Sequence, residues 1–207
     1  EELNYSSDID LIVVYDHEGT TSGRRPGITN SECFSRIVAE LVRLVSSHTE
    51  EGVAYRVDLR LRPEGQRGPL ARSLRSTLHY YDTMGRTWER QALIKLRPVA
   101  GDAALGREVQ AALEPFVYRQ YLSFAEINEV KALKRRMEER AARRRGEGDF
   151  PRDIKHGPGG IRDIEYTVQF LQLLNGGDLP AVRQRNTLLA LEALEIAGCL
   201  TPQATYL

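Results

Sequence analysis

The chain has 207 residues, enough to bury a core as one large domain or two small ones, so it needs neither disulfide nor metal staples. Its 29 basic and 29 acidic side chains cancel, which removes net charge as support for a polyanion-binding role and leaves nucleic acid without a case as partner. Cys33 and Cys199 stand far apart in no paired spacing, fitting a reducing compartment, and no apolar run nears the roughly 20 residues of a membrane span; with no signal peptide, a soluble cytoplasmic protein is expected.

Residues 9–15 are almost uninterrupted apolar and β-branched, which predicts a strand buried on both faces, yet Asp8 and Asp10 stand at its beginning. Side chains two apart on a strand share a face, so the two carboxylates project side by side. Ionised carboxylates that close repel one another unless a divalent cation or a basic group lies between them. Ser6 and Ser7, just before, add hydroxyls that can reach a phosphate oxygen. The pattern suggests a hard-metal nucleotide site, but paired aspartates also cap many strands, and deciding between the two readings takes a third carboxylate.

Residues 17–27 are rich in Gly, Thr, Ser, Arg and Pro and predict an exposed loop. Asn30 or Ser31 then offers a cap for an amphipathic helix whose stripe, Phe34, Ile37, Val38, Leu41, Leu44 and Val45, is expected to pack on the sheet. Residues 53–63 alternate, with Tyr55, Val57, Leu59 and Leu61 on one face and Arg56, Asp58, Arg60 and Arg62 on the other. This predicts a half-buried strand closed by Pro63, and Asp58 is the candidate third carboxylate. One aspartate among three arginines suits a metal and phosphates together.

Ser73 is placed to cap a helix carrying Leu74, Leu78 and Tyr81, and a further helical run over 88–95 includes Trp88, read as a core anchor, and Lys95. From Ala103 on, strand signals disappear, and helices are predicted over 104–121 and 125–145. The second carries many bases offset by acids with no interleaved aromatics, which reads as a solvated face. After a break over 146–151, the Gly-rich loop at 157–160 opens a helix between Lys155 and Arg162; it suits an anion or a close-packed turn equally. A last helix is predicted over 186–198.

Two aspartates on one strand and a third on a later one, separated by an amphipathic helix, resemble the polymerase-β type of nucleotidyltransferase fold. Four collinear stretches make the resemblance more specific: NYSSDIDLIVVYD (4–16), YRVDLRLRPEG (55–65), GRTWERQALIKLRPVAGD (85–102) and IKHGPGGIRDIEY (154–166). Together they look like the bacterial glutamine synthetase adenylyltransferase/adenylyl-removing family, over nearly the whole chain.

The resemblance implies an α+β fold: a nucleotidyltransferase domain over 1–101, truncated at its N-terminus, then an all-helical domain over 102–207. It implies Asp8, Asp10 and Asp58 as catalytic metal ligands for two Mg²⁺ ions, with Ser6, Ser7, Arg60, Arg62 and Lys95 toward nucleotide and phosphate. The forms YRVDLR and GIRDIE look like the adenylyl-removing half, which takes AMP from a tyrosine of glutamine synthetase with phosphate and releases ADP. The alternatives are the adenylylating half, which uses ATP, and a regulatory nucleotide-binding module without catalysis. A PII-type signalling protein is implied as regulator of the longer enzyme. A Gly-Gly pair usual before the first motif is absent, the chain opens without methionine and closes without a terminal signal, and a piece of a longer polypeptide is expected. Tyr166 replaces a commoner Phe, a change expected to matter little.

Overall fold

The structure is a computed structural model that describes residues 7–23, 27–145, 154, 155, 157, 159–201 and 203. Ser6, His156 and the break over 146–151 lie outside the described residues. The chain is of α+β class: among the described residues the strands all fall before Leu74, with one α-helix between them, and only helices follow. It divides into two compact units, one running to Gly85 and taking in Pro98–Leu113, the other comprising Arg86–Arg97 and the described residues from Glu114 onward.

In the first unit the apolar run does not form one strand. It splits into β1 (Ile9–Asp10) and β2 (Val13–Tyr15), which pair with different partners. The helix α1 (Asn30–Ser46) and the hairpin β3 (His48–Thr49) with β4 (Gly52–Val53) follow, and then β5 (Val57–Asp58) and β6 (Ala71–Ser73). β1 lies parallel to β5, and β2 lies parallel to β6. Parallel neighbours need a long crossover, and the segment carrying α1 supplies it. Of residues 9–15 only Tyr15 is fully buried, so the two-sided burial expected of this run is not found.

The core of this unit is Tyr15, Val38 and Ala71, with Val13, Val42, Leu59 and Leu70 packed around it. The Tyr15 ring stacks on Phe34, centroids 5.0 Å apart. The rest of the α1 stripe departs from expectation: Ile37, Leu41 and Leu44 are exposed, because strands of two and three residues present too little surface to cover them. The α1 cap also falls one residue early. Thr29 accepts from the Glu32 N–H at 3.1 Å, while the Asn30 amide donates to the His17 carbonyl at 2.9 Å across the loop.

The alternating stretch 53–63 contains only two strand residues after Val53. Leu59 onward turns back on itself, Arg62 N–H reaching the Leu59 carbonyl at 3.3 Å, so Arg60 and Arg62 do not continue the strand face of Asp58. After β6, Ser73 caps α2 (Leu74–Thr83), as its spacing predicts.

The second unit holds α3 (Thr87–Leu93), the end of α4 (Ala103–Val117), α5 (Phe124–Arg145), α6 (Ile161–Asn175) and α7 (Thr187–Ile196). Val168, Val182, Ala190 and Leu194 form its core where α6 and α7 meet. Polar pairs link α3 to α5: Arg90, 3% exposed, donates to Glu126 at 2.7 Å, and Thr87 to Glu129 at 2.6 Å. Trp88, expected as a core anchor, is only half-buried. Tyr166 does more than a Phe could, for its buried hydroxyl donates to the Val130 carbonyl of α5 at 2.5 Å.

Candidate active site

The parallel pairing of β1 and β5 brings the aspartates together. Asp10 and Asp58 are register partners, as are Ile9 and Val57. Backbone bonds lock that register, Ile9 N–H donating to the Arg56 carbonyl at 2.8 Å and Leu11 N–H to the Asp58 carbonyl at 2.9 Å. A slip of one residue would turn Asp10 to the other face, so the ladder fixes the site as well as the sheet.

Each outer carboxylate has a guanidinium on it. Asp8 meets Arg56 Nε at 2.7 Å. Asp58 accepts from Arg60 Nε at 2.7 and 3.0 Å and from its backbone N–H at 2.8 Å, and Nη2 of the same arginine closes the fork. These bonds hold the Asp58 carboxyl below its ordinary range, the side-chain bonds to Arg60 contributing most. Asp10 moves the other way. Lost hydration on its packed side raises it most, the negative charge of Asp58 adds to this, Asp8 contributes less, and Arg60 opposes.

Arg62 has a different job. It is 8% exposed, and its guanidinium donates to the carbonyls of Leu59, Gln66, Gly68 and Pro69 at 2.7–3.3 Å. With its N–H groups turned onto backbone it is the pin of the 59–69 loop; its charge still reaches Asp58, but its fork does not face phosphate. Ser7 is half-buried next to Asp8 in sequence. Lys95 belongs to the second unit, where its ammonium meets Glu165 at 3.1 Å and Thr187 at 3.3 Å.

The Gly-rich loop resolves toward a turn. Its N–H groups point inward: Gly159 to the Asp163 carboxylate, Gly160 to Gly157, Ile161 to Ile154 and Arg162 to Lys155. Gly159 has φ +70°, and a Cβ on Gly160 would stand 2.4 Å from the Ile154 carbonyl oxygen, so both positions require glycine.

Sequence reasoning counted Arg56 in the basic row around Asp58 but gave it no partner; the structure sets it on Asp8. Its signal was its place two residues before Asp58 in the alternating stretch, on the strand that pairs with β1.

The donor set suits a hard divalent ion: carboxylate oxygens only, two of them register partners, with the middle acid raised first by lost hydration and then by the charge of Asp58, which a cation would relieve. Among the described residues, however, no three ligating side chains form a group ready to hold a metal as the side chains now lie. The arginines have taken the outer two. No helix among the described residues is long and apolar enough to cross a membrane.

Residues 1–112 match the family model of glutamate-ammonia ligase adenylyltransferase, and residues 131–206 match that of GlnD PII-uridylyltransferase. Three similar proteins carry the name bifunctional glutamine synthetase adenylyltransferase/adenylyl-removing enzyme. The one from Stenotrophomonas maltophilia is 44% identical over 98% of this chain and 21% of its own length. The one from Hahella chejuensis is 44% identical over 96% and 20%, and the one from Nitrosococcus oceani 45% identical over 93% and 20%. The chain therefore spans about a fifth of the length of these curated relatives. The Asp8–Asp10–Asp58 cluster lies wholly within the region matched by the first of these models, and the chain belongs to the glutamate-ammonia ligase adenylyltransferase family.

Proposed function

We propose that the first unit is a nucleotidyltransferase centre of the polymerase-β type, which removes AMP from an adenylylated tyrosine of glutamine synthetase and so regulates nitrogen assimilation. The observation that carries this is the register pairing of Asp10 with Asp58 across parallel strands, with Asp8 alongside. Hydrogen phosphate attacks the α-phosphorus; a new phosphorus–oxygen bond forms, the bond to the tyrosyl oxygen breaks, and that oxygen takes the proton of the attacking hydrogen phosphate as ADP leaves. Mg²⁺ held by Asp8, Asp10 and Asp58 would supply charge neutralisation at the phosphoryl oxygens. Arg60, mostly exposed and ending in a planar fork, is the group of this cluster best shaped to bind a phosphate. Ser7 supplies a hydroxyl donor.

In the removing direction Asp58 needs no role beyond that of a ligand. Transfer of AMP from ATP needs a base for the tyrosine hydroxyl, whereas phosphate is already a competent nucleophile. The motif forms YRVDLR (55–60) and GIRDIE (160–165) are what favours removal. The relatives' name covers both activities, so adenylylation is the second reading. The match of residues 131–206 to GlnD PII-uridylyltransferase supports a PII-type signalling protein as regulator of the longer enzyme.

The test is to incubate the chain with adenylylated glutamine synthetase, Mg²⁺ and phosphate and to follow ADP. Release that requires phosphate and is lost in Asp8→Asn supports removal. AMP transfer from ATP onto unmodified glutamine synthetase reverses the direction, and silence in both assays overturns catalysis by this chain.

A further inference from the structure

Asp58 is closed off by the chain itself. Arg60 follows it by two residues and engages both carboxylate oxygens, Nε lying 3.0 Å from Oδ1 and 2.7 Å from Oδ2. A carboxylate gripped in this way turns toward the guanidinium the same lone pairs that a hard cation would use. The two partners differ in burial: the Asp58 side chain is 13% exposed, that of Arg60 68%. The guanidinium is thus the lid between the carboxylate and solvent, and it can leave without disturbing a core. A pair whose arginine is this exposed adds little to stability, so a competing cation can displace it.

The second outer acid also has an arginine on it and is itself more exposed. Arg56 covers Asp8 with Nε at 2.7 Å, the two side chains 66% and 46% exposed. Asp10, between them, makes no ion pair among the described residues.

We propose that Arg60 is a latch on the cation site: its guanidinium and a divalent cation exclude one another at Asp58, and the fork that a cation displaces becomes the group that grips phosphate. One arginine then serves in turn as counter-ion and as anion receptor. This rests on the reading of the aspartate cluster as a cation site.

The test uses Mn²⁺ alone as probe, its free form followed by electron paramagnetic resonance, with the whole chain as wild type, Arg60→Ala, Arg60→Lys and Asp58→Asn. Arg60→Ala is expected to bind Mn²⁺ about tenfold more tightly than wild type, the scale of one charged hydrogen-bonded contact removed. Arg60→Lys keeps the charge and loses the fork, and is expected to recover a clear part of that gain; Asp58→Asn is expected to lose binding. If Arg60→Ala gains and Arg60→Lys binds as wild type, the effect is through-space charge and the latch is overturned. If neither arginine variant gains while Asp58→Asn still loses binding, the latch fails and the cation site stands. Binding in Asp58→Asn equal to wild type, or none in any variant, overturns both.

Discussion

Arg60 and Arg62 stand two residues apart in one stretch and do opposite work. Arg60 faces solvent and a carboxylate, whereas Arg62 faces inward and ties four carbonyls of its own loop. Arg62→Ala would leave those carbonyls short of donors in a buried place, and a loss of about 2–3 kcal/mol is expected in urea unfolding. Arg62→Lys is not expected to rescue it, since an ammonium cannot span the same set. Tyr166 makes a similar point, because its hydroxyl reaches Val130 and Tyr166→Phe should cost about 1 kcal/mol. Burial pushes both Tyr166 and Tyr118 from 10.0 up to about 12. A folded value above the unfolded one means full stability below the unfolded value and loss as pH climbs to the folded one. Alkaline melts should therefore hold to about pH 10 and fall between about 10 and 12, with a shallower fall in Tyr166→Phe.

The helices were the most legible elements. α5 and α6 stand where their periodicity predicts, and Ser73 caps α2 through the Ser76 N–H at 3.3 Å. Ser73→Ala is expected to cost about 1 kcal/mol, read as a lower melting temperature. Strands were less legible, since an apolar run shows burial potential and not partner choice. Residues 9–15 change partner midway, from β5 to β6, and no pattern within seven residues announces that change. The stretch 53–63 alternates like a strand, but the pull of Arg62 on the carbonyls from Leu59 to Pro69 folds its second half into a turn. For the site, the sequence put Asp10 and Asp58 on two different strands, which the fold pairs in register, while Asp8 falls just before β1. Spacing carries no information on which arginine turns in and which out, since that depends on the loop between Leu59 and Ala71.

At the scale of the molecule, the candidate chemistry lies in one compact unit, and Lys95, once grouped with it by sequence, is engaged with Glu165 and Thr187 in the other. The chain also covers only about a fifth of its relatives' length, so the centre is best tested by what its own residues do. Asp10 is the sharpest probe, being raised by its surroundings and by Asp58. An ionised acid so placed strains the fold, and its removal should relieve that strain while emptying the site of its middle ligand. The decisive measurement is Asp10→Asn, with thermal melting at neutral pH and phosphate-dependent ADP release from adenylylated glutamine synthetase run on the same preparation. The expected result is a melting temperature equal to or above wild type with turnover lower by about 100-fold or more; wild-type turnover at wild-type melting would contradict the assignment of the cluster as the active centre.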